Sequence, residues 1–310
     1  MKHAGSQDDS CNIRRMRHVF RLTLFGTAAL VAALFAAPAA QSTQTTGVKK
    51  LLFLTHPALY KHTSLEFAEK AVTEWGKTNG FVVTTLEGYK QNTNAIDLTV
   101  LTPDYLNQFD GLMLMTNGNL PLTDVQKTAI MDFVRNGKAL IGTHCATLTL
   151  YNDPKFGEMF GGYYLRSIIP TNRVGQKMGV LKVEDTTNPA TKTLGPTWTI
   201  GEEFYIFGTE VWNASKPNEN VSAVGRLPIL LPFTRDKVHV LLSLDTEKMD
   251  ISDLPFLTKG GDYPQAWTRD YGRGRVFYTT LGHRDDIWGS DANFKAHVVG
   301  GIRWALRLEN

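Results

Sequence analysis

The amino-acid sequence predicts an α/β protein: a three-layer sandwich in which helices cover both faces of a mostly parallel central sheet, with β-rich insertions in the C-terminal half. Two patterns support this fold class. Between residues 51 and 146, short apolar runs alternate with stretches whose apolar residues recur at helical spacing. After residue 154, strand-like runs become more frequent. Strands that alternate with helices are typical of parallel sheets, which carry functional loops at the carboxyl ends of their strands.

The first predicted unit is a strand at residues 51–55 followed by a helix. Thr63 and Glu66 have the spacing of a capping box, in which two side chains bond the free amide groups of a helix's first turn. The apolar residues that follow recur every three or four positions and predict one buried helix face, formed by Leu65, Ala68, Val72 and Trp75.

The second and third strands are predicted at residues 81–86 and 111–115. Thr123 and Gln126 form another capping-box pattern at the start of the next helix. That helix is expected to end at Asn136-Gly137, because glycine is common just after a helix.

Residues 138–146 have the pattern of a buried strand that ends in a sharp turn. Gly142 permits a bend of the backbone there. The turn therefore presents His144 or Cys145 at the carboxyl edge of the sheet, where α/β enzymes hold reactive groups.

The C-terminal half begins with a helix predicted at Asp153-Pro154. Five strand-like runs then predict β-rich insertions on the same sheet, at residues 163–166, 180–183, 204–207, 238–244 and 276–281. A last helix is expected from a cap at Asp291, with a buried face formed by Phe294, Val298, Ile302 and Ala305.

Residues 1–39 have the order of a secretory signal peptide, since they are first basic, then apolar and finally small. The apolar stretch is shorter than the roughly 20 residues of a membrane-spanning helix. Ala37-Pro38-Ala39 is the predicted cleavage site, so we expect an exported protein that begins near Ala40 and has no stable membrane insertion. Translation can start at Met1 or at Met16.

Charge and cysteine content exclude several classes of function. Residues 40–310 contain 28 Lys and Arg and 28 Asp and Glu, and they show no basic stripe, so nucleic acid is not an expected partner. Cys11 lies in the predicted signal, which leaves Cys145 alone in the exported chain. Intrachain disulfides and cysteine zinc clusters are therefore excluded.

Three histidines fall at predicted strand exits: His62, His144 and His283. Because imidazole titrates near neutral pH, their meeting at one sheet edge would form a site for proton transfer. Glu203 is the expected acidic partner, since strand alternation points it to the same side as Tyr205. We expect His144 and His283 to exchange protons with a substrate while Glu203 orients or charges one of them.

The predicted binding residues lie near the histidine loops in the sequence. Aromatic faces with polar tips stack on sugars and hydrogen-bond them, and the substrate-binding set is Tyr60, Asn117, Cys145, Tyr205, Trp267, Arg284 and Trp288. Cys145 is interpreted as a small packed residue rather than a nucleophile. The sequence requires no cofactor, although a divalent metal held by His62, His144, Glu203 and His283 is chemically sensible.

Several motifs resemble the ThuA-like, or trehalose-utilisation, family. The most specific is the block from Pro264 to His283, and residues 142–146 and 60–64 add to it. The resemblance implies one domain at residues 48–308 with the fold of class I glutamine amidotransferases, a flavodoxin-like sandwich. It places His144 where glutaminases have their catalytic cysteine, which argues against glutaminase activity. It also implies carbohydrate metabolism, on oxidised (keto) sugars or glycosides.

The leading hypothesis is an exported enzyme that acts on a sugar or keto-glycoside by acid/base catalysis, through hydrolysis, elimination or isomerisation. One alternative is a non-catalytic carbohydrate-binding or interaction module. The other is a divalent-metal-dependent hydrolase. The substrate, the reaction subclass, the metal and the oligomeric state stay open.

Overall fold

The structure, a computed structural model, describes residues 47–168 and 177–308. A nine-stranded sheet lies at the centre of these residues. The spatial order of its strands is β2-β1-β3-β4-β11-β10-β9-β6-β7. The strands span β1 Lys49–Leu54, β2 Phe81–Thr85, β3 Gly111–Leu114, β4 Ala139–Thr143, β6 Lys177–Val183, β7 Thr197–Glu202, β9 His239–Leu244, β10 Pro264–Tyr271 and β11 Gly274–Thr279.

The sheet is parallel from β2 to β11 and antiparallel from there to β7. Every residue of β3 and β4 is buried, which requires cover on both faces of the sheet. The helices that supply this cover are α1 Ser64–Gly76, α2 Pro103–Leu106, α3 Asp124–Arg135, α4 Pro154–Phe160, α5 Ile287–Ser290 and α6 Ala292–Ala305. The predicted α/β class is thereby confirmed.

Two of the predicted insertion strands do not join this sheet. β5, Tyr164–Ile168, pairs only with β8, Phe204–Phe207, among the described strands, and the two form a separate antiparallel pair. The expectation that all insertions extend one sheet is therefore wrong. β7 and β10 were not predicted; β7 pairs with the preceding strand β6, and β10 forms a hairpin with β11 and also pairs with β9.

The two predicted capping boxes have different outcomes. Thr123 and Gln126 form the reciprocal bonds of a capping box at the start of α3, as predicted. Thr63 makes no cap bond, because its backbone is already helical and its hydroxyl donates to Asp285, 2.7 Å away. The predicted capping box of α1 is therefore wrong. The predicted buried face of α1 is confirmed, since its four apolar residues are buried.

The bend at the end of β4 lies at His144 rather than at Gly142. His144 has φ +48°, the left-handed region that L-residues rarely adopt. Gly142 is needed for packing instead, since a Cβ there would lie 2.4 Å from the ring of Phe160.

The predicted signal peptide, residues 1–39, with its cleavage site and the alternative start at Met16, lies outside the described residues. Among the described helices, none combines the length and the hydropathy that crossing a bilayer demands.

Candidate active site

Three strands of the parallel half-sheet bring three histidines to its carboxyl edge. His62 lies in the loop after β1, His144 directly follows β4, and His283 lies in the turn between β11 and α5. Glu203 joins them from the junction of β7 and β8. We call these four residues the histidine cluster.

His144 is the centre of the cluster and is fully buried. The Tyr278 hydroxyl donates to its backbone carbonyl at 2.7 Å and so holds the left-handed residue in place. Its ring Nδ1 lies 3.1 Å from the carbonyl oxygen of Thr280. Because a carbonyl oxygen only accepts, Nδ1 carries the hydrogen and Nε2 carries the lone pair that faces the cluster.

Four polar atoms surround Nε2 of His144. They are His62 Nε2 at 3.1 Å, Tyr205 Oη at 3.2 Å, His283 Nδ1 at 3.3 Å and Glu203 Oε2 at 3.4 Å. His283 Nδ1 also lies 2.8 Å from Glu203 Oε2, which makes this the shortest contact of the cluster.

The environment gives the four groups different charges. Burial alone would raise the pKa of Glu203, but the hydrogen bond from His283 and the charges of both histidines lower it to about 2. Burial would lower the pKa of His283, but the hydrogen bond and charge of Glu203 raise it. Burial lowers the pKa of His144 to about 4 and that of His62 well below its usual value. An ion pair therefore lies beside two neutral imidazoles.

Glu202 supports the cluster from behind. Its buried carboxylate accepts the backbone N–H groups of Gly282 and His283 at 2.8 Å and that of Arg284 at 2.9 Å. Burial raises the pKa of Glu202 to about 7, against the effect of these three bonds. Sequence reasoning noted the Glu202-Glu203 pair but missed this role, because the bonded turn lies some eighty residues away.

A cavity of about 510 Å³ opens onto the cluster. Six predicted site residues line it: Tyr60, His62, Asn117, Glu203, Tyr205 and His283. Sequence reasoning missed six others, most of which have ordinary apolar or hydroxyl side chains: Leu59, Leu148, Tyr164, Ser167, Ala223 and Val224. The cavity therefore combines a polar side, at the cluster, with an apolar one.

Four residues of the predicted binding set do not line the cavity. Trp267 and Trp288 are fully buried, and their indole N–H groups donate to Phe160 and Gly282 carbonyls. Their burial does not fit the expected stacking on a sugar, and their packing is that of core residues. The Arg284 guanidinium binds Asp286 and the carbonyl of Gly201, within the loop that carries His283.

Cys145, the fourth, is buried beneath the cavity. Its thiol lies 3.6 Å from the side-chain nitrogen of Asn117, and burial raises its pKa to about 12. A thiol of that acidity is not a nucleophile near neutral pH.

The cluster has the residue types and spacing of a metal site. One ligand atom from each of His62, His144, Glu203 and His283 lies within 4.8 Å of all the others. Three imidazoles and a carboxylate are common ligands of divalent transition metals.

One family model and two solved structures that share the fold carry the same family description. A family model described as trehalose utilisation, ThuA, matches residues 50–224 and 230–305. A protein described as ThuA-like from Bacteroides uniformis ATCC 8492 is 22% identical in sequence, with a TM-score of 0.57 over 87% of this chain and 95% of that one. Another from Parabacteroides merdae ATCC 43184 is 16% identical, with a TM-score of 0.59 over 85% and 91%. The search of curated proteins found no match.

Proposed function

The chain belongs to the trehalose-utilisation (ThuA) family, and from this premise we propose that it is an enzyme that acts on a sugar or glycoside at the histidine cluster. The observation that carries the proposal is the position of His144 Nε2. It is a buried lone pair within 3.4 Å of His62, Glu203 and His283, the three residues of the cluster that line the cavity. Convergent titratable groups with shifted pKa values in a cavity are typical of active sites.

The proposed reaction class is proton transfer to or from the sugar, as in hydrolysis, elimination or isomerisation. Each of these reactions needs one group that accepts a proton and another group that donates a proton. The neutral His144 and the charged pair of His283 and Glu203 place groups of opposite protonation state side by side. Neighbouring groups whose pKa values are pushed apart are a common arrangement for acid/base chemistry.

The cavity supports a sugar as the molecule that binds. Its volume of about 510 Å³ lies within the usual range for small-molecule sites. His62, Ser167, Glu203 and His283 contribute polar side chains to its lining, and Leu59, Leu148 and Val224 contribute apolar ones. A sugar ring has hydroxyl groups at its edge and C–H groups on its faces, so it suits a lining of this mixed character.

The test is turnover on a panel of oxidised and unoxidised disaccharides and glycosides, with analysis of the products. A positioned proton-transfer group contributes about 10²- to 10⁴-fold, so His144→Ala and His283→Ala should each lower kcat at least about 100-fold. His239→Ala is the matched control, because His239 is exposed and distant in the sheet from the cluster.

Unchanged turnover in both cluster variants would contradict the proposal. So would saturable sugar binding without product from any sugar on the panel, which is the behaviour of a non-catalytic binding module.

We also propose that the protein is exported. The order of basic, apolar and small residues in positions 1–39 supports this. N-terminal sequencing of protein expressed in a bacterial host with an intact export pathway should give a chain that begins near Ala40. Recovery of only cytoplasmic protein with residues 1–39 retained would count against export.

A further inference from the structure

Four electron-pair donors in the histidine cluster converge on one point. The measured separations are 3.1 Å for His144 with His62, 3.3 Å for His144 with His283, 3.4 Å for His144 with Glu203 and 2.8 Å for His283 with Glu203. Ligands at metal bond lengths of about 2.0–2.1 Å lie about 3.3 Å apart in a tetrahedral site and about 2.9 Å apart at neighbouring octahedral positions. These four of the six ligand-to-ligand separations cover this range, and all six lie within 4.8 Å.

Hydrogen bonds alone do not account for this arrangement. The Nε2 atom of His144 has one lone pair, because its Nδ1 donates to Thr280, and one lone pair accepts one good hydrogen bond. Yet His62, His283, Glu203 and Tyr205 all place a polar atom within 3.4 Å of it. A cation at the common point would satisfy the nitrogen and carboxylate electron pairs together.

We propose that His62, His144, Glu203 and His283 bind one divalent transition-metal ion whose remaining coordination position faces the cavity. Three imidazole nitrogens and one carboxylate oxygen favour Zn²⁺, Mn²⁺, Fe²⁺ or Co²⁺ over Mg²⁺ or Ca²⁺, which prefer oxygen ligands. Binding releases the proton of His283, and three neutral imidazoles with one carboxylate then leave the site a positive charge that attracts an oxygen atom of the substrate.

Hydrogen bonds with neighbouring groups fix two of the proposed ligands, as is usual in metal sites. The Thr280 carbonyl fixes the tautomer and the ring orientation of His144. Glu202 fixes the backbone of His283 through two of the three N–H groups that it binds, those of Gly282 and His283 itself. The ligands are thus held by the fold before any ion arrives.

The inference deepens the proposed function, on which its catalytic role rests. A metal-bound sugar oxygen would be polarised, and the metal would take the lone pair of His144 that otherwise receives the Tyr205 hydroxyl. Tyr205 then lies beside the open coordination position and can donate its hydrogen bond to the bound oxygen. With the ion bound, His144 and His283 would serve as ligands, and proton transfer to or from the sugar would fall to Tyr205 and to a water molecule at the metal.

The experiment is metal binding by the full chain, measured without any sugar. The protein is stripped with a chelator, dialysed and titrated with Co²⁺ and with Zn²⁺, by calorimetry and, for Co²⁺, by visible absorption. We expect one ion per chain. His283→Ala and Glu203→Gln should each weaken binding more than about 100-fold, since even loss of a residue that only supports a ligand costs 10- to 100-fold. His239→Ala should bind like the unchanged protein.

Circular dichroism checks that each variant is folded, and two variants are used because His283 is partly exposed and Gln keeps the shape of Glu203. Binding of less than a tenth of an ion per chain would overturn the proposal. Binding that survives both cluster substitutions would overturn it too, because the ion would then lie elsewhere.

Sugar turnover separates this inference from the proposed function. Turnover that persists in the stripped protein refutes the catalytic role of the metal and leaves the sugar enzyme standing. One ion bound per chain, with no sugar on the panel converted, leaves the metal site standing and refutes the sugar enzyme.

Discussion

His144 shows how a single residue combines backbone strain with chemistry. A left-handed backbone costs an L-residue roughly 1–2 kcal/mol, and the hydrogen bonds from Tyr278 and to Thr280 offset that cost. The sequence predicted a sharp turn with a reactive tip. It could not assign the strained position, because the need for Gly142 comes from Phe160, a packing contact that no local pattern encodes.

Tyr205 offers a test at the scale of one hydroxyl group. Tyr205→Phe removes the oxygen that lies 3.2 Å from His144 and leaves the ring, the imidazoles and Glu203 in place. If the hydroxyl donates to the reacting oxygen, kcat should fall about 100-fold or more while KM changes little. Steady-state kinetics on a sugar that the panel identifies measures both constants. Metal stoichiometry should stay at one, and an unchanged kcat would remove Tyr205 from the mechanism.

At the scale of elements, the junction of β7 and β8 gives two adjacent acids separate tasks. Glu203 enters the histidine cluster, while Glu202 holds the turn between β11 and α5 that carries His283. Alternation along the chain predicted the direction of Glu203. It could not predict the task of Glu202, because the turn that it binds belongs to a distant strand.

Glu202→Gln tests this junction. A glutamine side chain has one acceptor oxygen, so at least one of the three N–H groups would lose its partner, at a cost of about 1–3 kcal/mol in stability. We expect a lower free energy of unfolding in a urea titration and about 10-fold weaker Co²⁺ binding, since His283 is less well held. Glu219→Gln, at an exposed surface pair, is the control. Weaker folding with unaltered Co²⁺ affinity would reduce Glu202 to a purely structural residue.

The regular elements were the most predictable part of the fold. The periodic apolar residues of α1, α3 and α6 and the apolar runs of β1, β3 and β4 encode their own burial. The failures occurred where a remote partner decides the outcome. Asp285 takes the hydroxyl of Thr63 away from the helix cap, and β7 forms only by pairing with β6.

For the whole molecule, the sequence predicted that the three histidines meet at one edge of the sheet, but not which other residues line the cavity. The histidines could be placed because the carboxyl ends of parallel strands meet at one edge. Other residues of the lining lie on β5 and at positions 223–224. The position of β5 follows from its pairing with β8, and that of residues 223–224 from a backbone hydrogen bond between Ala223 and Leu165. No local sequence pattern predicts the β5–β8 pairing or the bond between Ala223 and Leu165.

Global stability should depend on pH through Glu69. This side chain is 4% exposed, and burial raises the pKa of its carboxyl from 4.5 to about 7. Between these values the folded state keeps a proton that the unfolded state releases, so the contribution of Glu69 to stability is full below about pH 4.5 and is lost as the pH rises to about 7. Glu69→Gln should therefore be more stable than the unchanged protein at pH 8 by about 1–3 kcal/mol, and nearly equal to it at pH 4.

Urea titrations of both proteins at a series of pH values measure the difference. A gap that does not shrink toward pH 4 would show that the pKa of Glu69 is not raised in the folded protein.

The separate β5–β8 pair has a consequence for natural variation. The parallel half-sheet anchors the imidazoles, whereas Tyr164, on β5, lines the cavity from an antiparallel strand pair with its own hydrogen-bond ladder. Mutations that reshape β5 can change which molecules fit without moving the anchored imidazoles. Homologous chains can in this way keep the same cluster of imidazoles and differ in substrate specificity.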